Sequence, residues 1–442
     1  MKKLLALAGG EPLFDTADIP AELFHWPIIT EEDEQACLEV IRKNKFSGTD
    51  ITIKLQNEFA AWQGTKYALA FANGTMSIAA AMYAIGLGAG DEIICPTKTY
   101  WGSISPSIGF GASAVFCNID KHLSLDPDDL ERCIGPRTKA IVVVHYFGYP
   151  ADMDRIMPIA KKHNLKVIED VSHAQGALYK GRKVGTFGDV AAMSMMSSKA
   201  FAAGELGMLV TNDQTIYERA LSYGHYERNN ERFIEDPEVL RYAHIAVGGV
   251  KGRANQLCST LALGQLRHFD ERIKEVDRAM NYFCDGIADL KGLHALRPEK
   301  DSGSTMGGWY LPQGVYEPDE LGGLSQGRFA EALRREIRGF GTWEGANFCL
   351  HTHPLFKDFD FFHLGKPSRI AFAERDVREL DEACKPSESI CCLSLPAFKK
   401  YMPEYIDKYI EAFRTVCENH EQLLENEDGS YAGGRWYGAE NR

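Results

Sequence analysis

Residues 194–207 read SMMSSKAFAAGELG. An apolar run that begins at Asp189 (DVAAMSMM) leads into this stretch, and a second apolar run from Met208 (MLVTND) leads out of it. A single lysine, Lys199, therefore sits on a loop of small residues between two segments fit to be buried strands. An amine in that position belongs at the end of a sheet, and the flanking sequence tells which sheet it is.

Outward from this stretch, short apolar runs alternate with helix-length amphipathic segments. The runs are YALAFA from Tyr67, EIICP from Glu92, SAVFCN from Ser113, AIVVVHYF from Ala140, LKVIED from Leu165, VAAMSMM from Val190 and GMLVTN from Gly207. Segments such as DPDDLERCI and DMDRIMPIAKKHN lie between them, opening on capping Asp and carrying apolar residues three and four apart. The alternation predicts an α/β domain with a mostly parallel, seven-stranded sheet buried on both faces. Ligands of such a domain gather at the carboxyl ends of the strands. Beyond Asp277 the pattern changes to helices with scattered short strands, including RFAEALRREIRGFG and PEYIDKYIEAFRTVCENHEQLL. The expected organisation is an N-terminal arm (1–30), a large domain (31–276) and a smaller C-terminal α+β domain (277–442) ending in a polar, Gly-rich tail after Asn426.

Composition narrows the function. The 442 residues are 45% hydrophobic, enough for a large core, and carry a net charge of -13. That charge speaks against nucleic acid and anionic membranes, which select basic surfaces. The start, MKKLLALAGGEPLF, has an apolar run that stops at Gly9-Gly10, too short for a signal peptide. No run approaches the roughly 20 apolar residues of a membrane span. Eleven cysteines without a CxxC pair fit a reducing cytoplasm.

Several strands end in residues with chemistry. Asn73-Gly74-Thr75 follows the first run and opens a helix, where free amides, a hydroxyl and the helix dipole suit a phosphate; a plain turn is the alternative. Tyr100 and Trp101 follow the second run and either cover a flat ring or pack in the core. Asp170 closes LKVIED, a place where a carboxylate needs a cationic partner, and His173 follows it. A phosphate cradle, an aromatic lid, a buried carboxylate and a lysine together fit pyridoxal 5'-phosphate: the lysine forms the Schiff base and the carboxylate keeps the pyridine nitrogen protonated.

The motifs FHWPIITEEDEQACLEVI, FANGTMSIAAAMYAIGLGAGDEIICPTKTY, IEDVSHAQGALYKGRKVGTFGD, SMMSSKAFAAGELGMLVTND, GGVKGRANQLCSTLALGQL and SICCLSLPAF resemble those of the DegT/DnrJ/EryC1/StrS aminotransferases, fold-type I pyridoxal phosphate enzymes. The resemblance implies a homodimer with the cofactor at the subunit boundary. It gives Lys199 the Schiff base, Asp170 the pyridine nitrogen, and His173 the ring's phenolic oxygen, a core histidine being the other reading. Ser194, Gly74 and Thr75 fall where the family binds phosphate, and Tyr100 where it stacks an aromatic on the ring, leaving Trp101 to packing. Lys251, Arg253 and Asn255 fall in the segment that reaches the neighbouring subunit's site.

The chain also departs from family members that act on nucleotide-linked sugars. Those read Ser-Phe-His before the lysine and Gly-Glu-Gly-Gly after it; here stand Ser194-Met195-Met196 and Gly204-Glu205-Leu206-Gly207. The lysine motif is nearer the branch that aminates keto-cyclitols and related small rings. The expected reaction is ping-pong transfer from glutamate or glutamine to a keto-cyclitol or keto-sugar. A nucleotide-linked keto-sugar acceptor and a non-catalytic cofactor- or sugar-binding regulator are the alternatives. Arg334-Arg335 and Lys399-Lys400 read as solvated helix faces. The pair His351/His353 lacks an obvious carboxylate partner, so no metal site is expected.

Overall fold

Each of the seven apolar runs forms a strand of one sheet. The computed structural model describes residues 3–342 and 347–426, and the polar tail expected after Asn426 lies outside them. The strands are β1 (Tyr67–Phe71), β2 (Glu92–Pro96), β3 (Ser113–Cys117), β4 (Thr138–Val144), β5 (Lys166–Asp170), β6 (Val190–Ser194) and β7 (Gly207–Thr211). They lie in the order β1-β7-β6-β5-β4-β2-β3, and β7 alone runs antiparallel to its neighbours. Side chains alternate between two cores: along β6, Ala191 and Met193 enter one, and Val190 and Ala192 the other. Burial on both faces is why these strands read as unbroken apolar runs instead of alternating ones.

One charged group sits inside this sheet. Glu169, fully buried next to the end of β5, accepts from His145 Nε2 (3.0 Å) and from the amides of Gly185 (2.7 Å), Phe187 (2.7 Å) and Gly188 (2.6 Å). Burial pushes its carboxyl up, but His145 and these amides outweigh it and hold it below the usual range. Its contribution is therefore present above the unfolded carboxyl pKa near about 4.3 and is lost as pH falls through the lower folded value. Glu169→Gln would turn an NH2 toward donors only. We expect a loss of about 3 kcal/mol in urea unfolding at pH 7, at the upper end of the range for leaving buried hydrogen-bonding groups unsatisfied.

The edge strand β3 is covered by a late part of the chain. Arg369, fully buried, donates through Nε to the Ala114 carbonyl (2.6 Å) and pairs with Asp381 through both terminal nitrogens (2.7 and 2.8 Å). Cys384 Sγ donates to the Phe116 carbonyl (3.3 Å). Such cover removes an exposed strand edge.

The C-terminal region builds a three-stranded antiparallel sheet from β8 (Leu293–Ala295), β9 (Gln313–Tyr316) and β10 (Cys391–Ser394). Helices Gln326–Glu336 and Pro403–Glu418 share its core with the N-terminal arm, through Leu5 and Leu23. The long helix Gln256–Gly286 runs unbroken through residue 277, so the expected 276/277 boundary falls within it, and residues 369–384 return to the large sheet. Asp126 caps its helix as expected, accepting from the Asp128 amide. Asp152 makes no side-chain cap and instead accepts from the Tyr179 hydroxyl (2.9 Å).

Candidate active site

The carboxyl ends of β1, β2, β5 and β6 open into a cavity of about 1090 Å³. Lys199 enters it from the loop between β6 and β7, with 8% of its surface exposed. Its main chain is fixed on both sides: its amide donates to the Met196 carbonyl (2.8 Å), and its carbonyl accepts from Trp26 Nε1 (3.1 Å). The amine lies 4.0 Å from the centre of the Tyr310 ring. Burial lowers its pKa to about 8, with Asp170 working in the opposite direction.

Asp170 ends β5 and is 5% exposed. Its two oxygens accept from Ser103 Oγ (2.6 Å) and the Ser172 amide (3.0 Å). His173 lines the cavity, and its Nδ1 accepts from the Phe147 amide (3.2 Å), so the neutral ring carries its proton on Nε2. Phe147 presents that amide from a left-handed backbone, φ 54°. Burial first, then the charge of Lys199, keep the imidazole neutral, well below its ordinary pKa.

The turn Asn73-Gly74-Thr75 is a helix start. Asn73 caps helix Gly74–Ala84 by accepting from the Met76 amide. The amides of Gly74 and Thr75, as first amides of the helix, lack intrahelical acceptors, and both residues line the cavity with Ser194. A Cβ on Gly74 would stand 2.6 Å from Ser194 Cβ, so only glycine lets the helix start close onto β6. The opening stretch ends for a like reason: a Cβ on Gly207 would meet the Asn73 carbonyl oxygen at 2.2 Å.

Tyr100 also lines the cavity, its ring 4.8 Å from that of Trp101. Trp101 does not pack in the core as expected; it is 41% exposed at the cavity wall. Met195 is buried while Met196 faces the cavity. Lys251, Arg253 and Asn255 do not line this cavity. Arg253 pairs with Glu227 and donates to the Ser47 carbonyl (3.2 Å), Asn255 caps helix Gln256–Gly286, and Lys251 and Asn255 are exposed.

Both histidines of the pair are hydrogen-bonded within the chain. His351 shares hydrogen bonds with Thr97 Oγ1 (2.6 Å) and with Glu388 (3.1 Å), a carboxylate that sequence reading did not find, while His353 accepts from the Leu355 amide (3.0 Å). Among the described residues, Cys117, Asp129 and Cys133 come within metal-ligand distance of one another, but the Arg132 guanidinium already holds Asp129 through two bonds (2.6 and 2.7 Å). Lys399 is not the solvated helix residue expected. It is half-buried before the terminal helix, and burial lowers its pKa to about 8.

Sequence reading missed Ser103, Trp26 and Tyr310. Ser103 follows the two aromatics after β2, whereas Trp26 and Tyr310 come from the arm and the C-terminal region; their meeting with Lys199 is a tertiary event with no local pattern.

A sheet of this order, with a lysine held near neutrality at its mouth, defines an α/β enzyme of the pyridoxal phosphate aminotransferase class. Residues 27–360 match the DegT/DnrJ/EryC1/StrS aminotransferase family, and the chain belongs to it. A putative L-glutamine:3-amino-2,3-dideoxy-scyllo-inosose aminotransferase of Micromonospora echinospora is 31% identical over 399 residues, covering 85% of this chain and 91% of that protein. GDP-perosamine synthase of Escherichia coli O157:H7 is 36% identical over 242 residues, covering 54% of this chain and 64% of that protein. The solved aminotransferase from Psychrobacter cryohalolentis superposes with a TM-score of 0.74 at 26% identity, covering 90% of this chain and 99% of that one.

Proposed function

We propose that the protein uses pyridoxal 5'-phosphate to move an amino group from glutamine or glutamate to an unphosphorylated keto-cyclitol or keto-sugar. The observation that carries this reading is the charge of the cavity wall: among the described residues that line it, Lys199 is the only lysine or arginine. One amine serves the Schiff base, and among the described lining residues no second lysine or arginine stands ready for a sugar diphosphate. The resemblance to a scyllo-inosose aminotransferase supports the same acceptor class.

The residues suit the cofactor. Gly74, Thr75 and Ser194 form an amide and hydroxyl cradle into which a side chain at 74 would intrude. Asp170, oriented by Ser103, supplies a carboxylate for the pyridine nitrogen. His173, with Nε2 as its N–H, suits the phenolic oxygen. Tyr100 would lie against the ring. When bound, the cofactor supplies an electron-withdrawing ring that stabilises negative charge at the carbon losing its proton. Lys199 Nζ takes the proton from the donor's Cα in the first half of the cycle and returns one to the acceptor's former carbonyl carbon in the second. The Tyr310 ring, 4.0 Å from that amine, covers it on one side and limits water there.

The acceptor is tested by loading the enzyme with amine from glutamine, then adding scyllo-inosose-type ketones or nucleotide-linked 3-keto and 4-keto sugars. Recovery of the visible absorbance within seconds is expected with the cyclitol ketones. Recovery with the nucleotide-linked sugars alone would reassign the acceptor, and no exchange with any amino donor would favour a binding role.

We further place Lys251, Arg253 and Asn255 in the partner's site of a homodimer, a reading supported by their position outside their own cavity. Mixing inactive Lys199→Ala and Arg253→Ala subunits should then restore part of the activity, up to about one site in four with random exchange. No recovery despite measured subunit exchange would return Arg253 to its own chain. The eleven unpaired thiols support a reducing compartment such as the cytoplasm.

A further inference from the structure

Three distant segments converge on the catalytic lysine. Trp26 of the arm donates its indole N–H to the Lys199 carbonyl (3.1 Å) and packs against both the large-sheet core and the C-terminal core. The loop before β9 carries Tyr310 onto the amine, between Trp309 (φ 49°) and Leu311 (φ 47°), both left-handed. This loop passes so close to the lysine loop that a Cβ on Gly308 would stand 2.4 Å from Ala200 Cβ. The third segment is Lys399. Its Nζ points at the Gly308 and Trp309 carbonyls (3.4 and 3.5 Å) and lies 5.4 Å from the Trp26 ring centre, while its amide donates to the Leu23 carbonyl (2.8 Å).

Lys399 has no carboxylate partner among the described residues. The charged groups of the neighbouring helix are engaged elsewhere: Asp277 accepts from Trp309 Nε1 (2.9 Å), Glu275 from the Tyr401 amide (2.9 Å), and Arg278 lies 3.7 Å from the Tyr401 ring centre. A half-buried amine without a counter-charge costs stability unless it holds something in place. What it touches are the root of the Tyr310 loop and the indole that pins Lys199.

We propose that Lys399 is a positioning residue for Lys199: its amine joins the Gly308–Trp309 carbonyls to the Trp26 ring, and so locks the Tyr310 loop and the N-terminal arm around the catalytic amine. Two strained residues flank Tyr310, so the loop needs such an anchor to stay on the lysine. Without it, water reaches Lys199 and the amine reverts toward its solvated basicity. In wild-type protein the neighbours facing that amine are Asp170, His173 and Tyr310, and none of them is altered in the test.

The inference rests on Lys199 being the catalytic amine, and its first readout needs no cofactor. In the full-length protein before cofactor is added, the acylation of Lys199 by acetic anhydride is followed against pH by mass spectrometry. Lys399→Met should raise the midpoint of that profile by at least about half a unit, and Trp26→Phe should shift it the same way. Lys399→Gln, which keeps one donor, should give a smaller shift. In the loaded enzyme the donor half-reaction should slow about tenfold or more in Lys399→Met, with KM for the donor within about twofold. A folded Lys399→Gln or Lys399→Met protein with a lowered Tm but an unmoved Lys199 midpoint would reduce Lys399 to packing and overturn the proposal. If the midpoint moves as expected and no amino donor reacts, the positioning stands while the aminotransferase reading fails.

Discussion

Lys199→Ala should reduce amino transfer by at least about 10⁴-fold, because it removes both the covalent anchor and the base for the donor's Cα proton; a positioned base alone is worth about 10² to 10⁴. Wild-type protein should be yellow, and borohydride should fix the cofactor to Lys199 at about one equivalent per chain. The variant should take no covalent label. It should fold at least as well as the parent, since a buried amine has been exchanged for a methyl group. The pH dependence follows from the same burial: with the free amine held at about 8, its neutral fraction rises about tenfold per unit as pH climbs toward that value. Steps that need the free amine should follow that slope and level off above it. Persistent labelling of Lys199→Ala at another residue would remove Lys199 from its assigned role.

Asp170→Asn should cost at least about a hundredfold in the donor half-reaction, equivalent to about 2.7 kcal/mol of transition-state stabilisation. The amide keeps the shape: its oxygen can still accept from the Ser172 amide while its NH2 donates to Ser103 Oγ, a hydroxyl that can reverse its role. It removes the charge that keeps a pyridine nitrogen protonated, an influence of about 1 to 3 pKa units at contact distance. Cofactor should therefore remain bound, with an altered absorbance spectrum and slow proton transfer. Ser103→Ala tests the orientation separately and should fall between parent and Asn variant. A half-reaction at near-parental rate in Asp170→Asn would mean that the carboxylate serves structure only.

The sheet was legible because every one of its strands is buried on both faces. No alternation with polar residues blurred runs such as AIVVVHYF, and Gly, Asp and Asn punctuated them. The candidate residues on strand ends were legible for a related reason: a lysine or aspartate at the end of an apolar run has few structural uses. Trp26, Tyr310 and Lys399 were not legible, because their roles arise from packing between segments far apart in the sequence, Trp26 and Lys199 by 173 residues and Lys399 and Gly308 by 91. Lys399-Lys400 reads like any charged pair ahead of a helix, yet only Lys400 is exposed. Residues 347–390 are assembled largely from 3-10 turns without a helical period, so nothing in their pattern announces that Arg369 and Cys384 seal β3. Asp152 shows the limit of local rules, since the Tyr179 hydroxyl takes the carboxylate that would have capped the helix.

The position of β1 bears on how the chain is synthesised and folded. β1 is an edge strand whose only strand partner among the described residues is β7, with Phe71 paired to Gly207 and, on the outer side, bridged to Arg253. As the polypeptide leaves the ribosome, β1 emerges first of the seven and must wait until β7 has followed; the β6–β7 hairpin that carries Lys199 closes over a far shorter loop. The amide cradle at Gly74 packs against Ser194 of β6 and Gly207 of β7, so it is completed only after those strands have followed. Nascent chains halted before residue 207 should therefore be unable to retain cofactor, and an apolar strand such as YALAF left without its neighbour is the segment that a chaperone would be called on to shield.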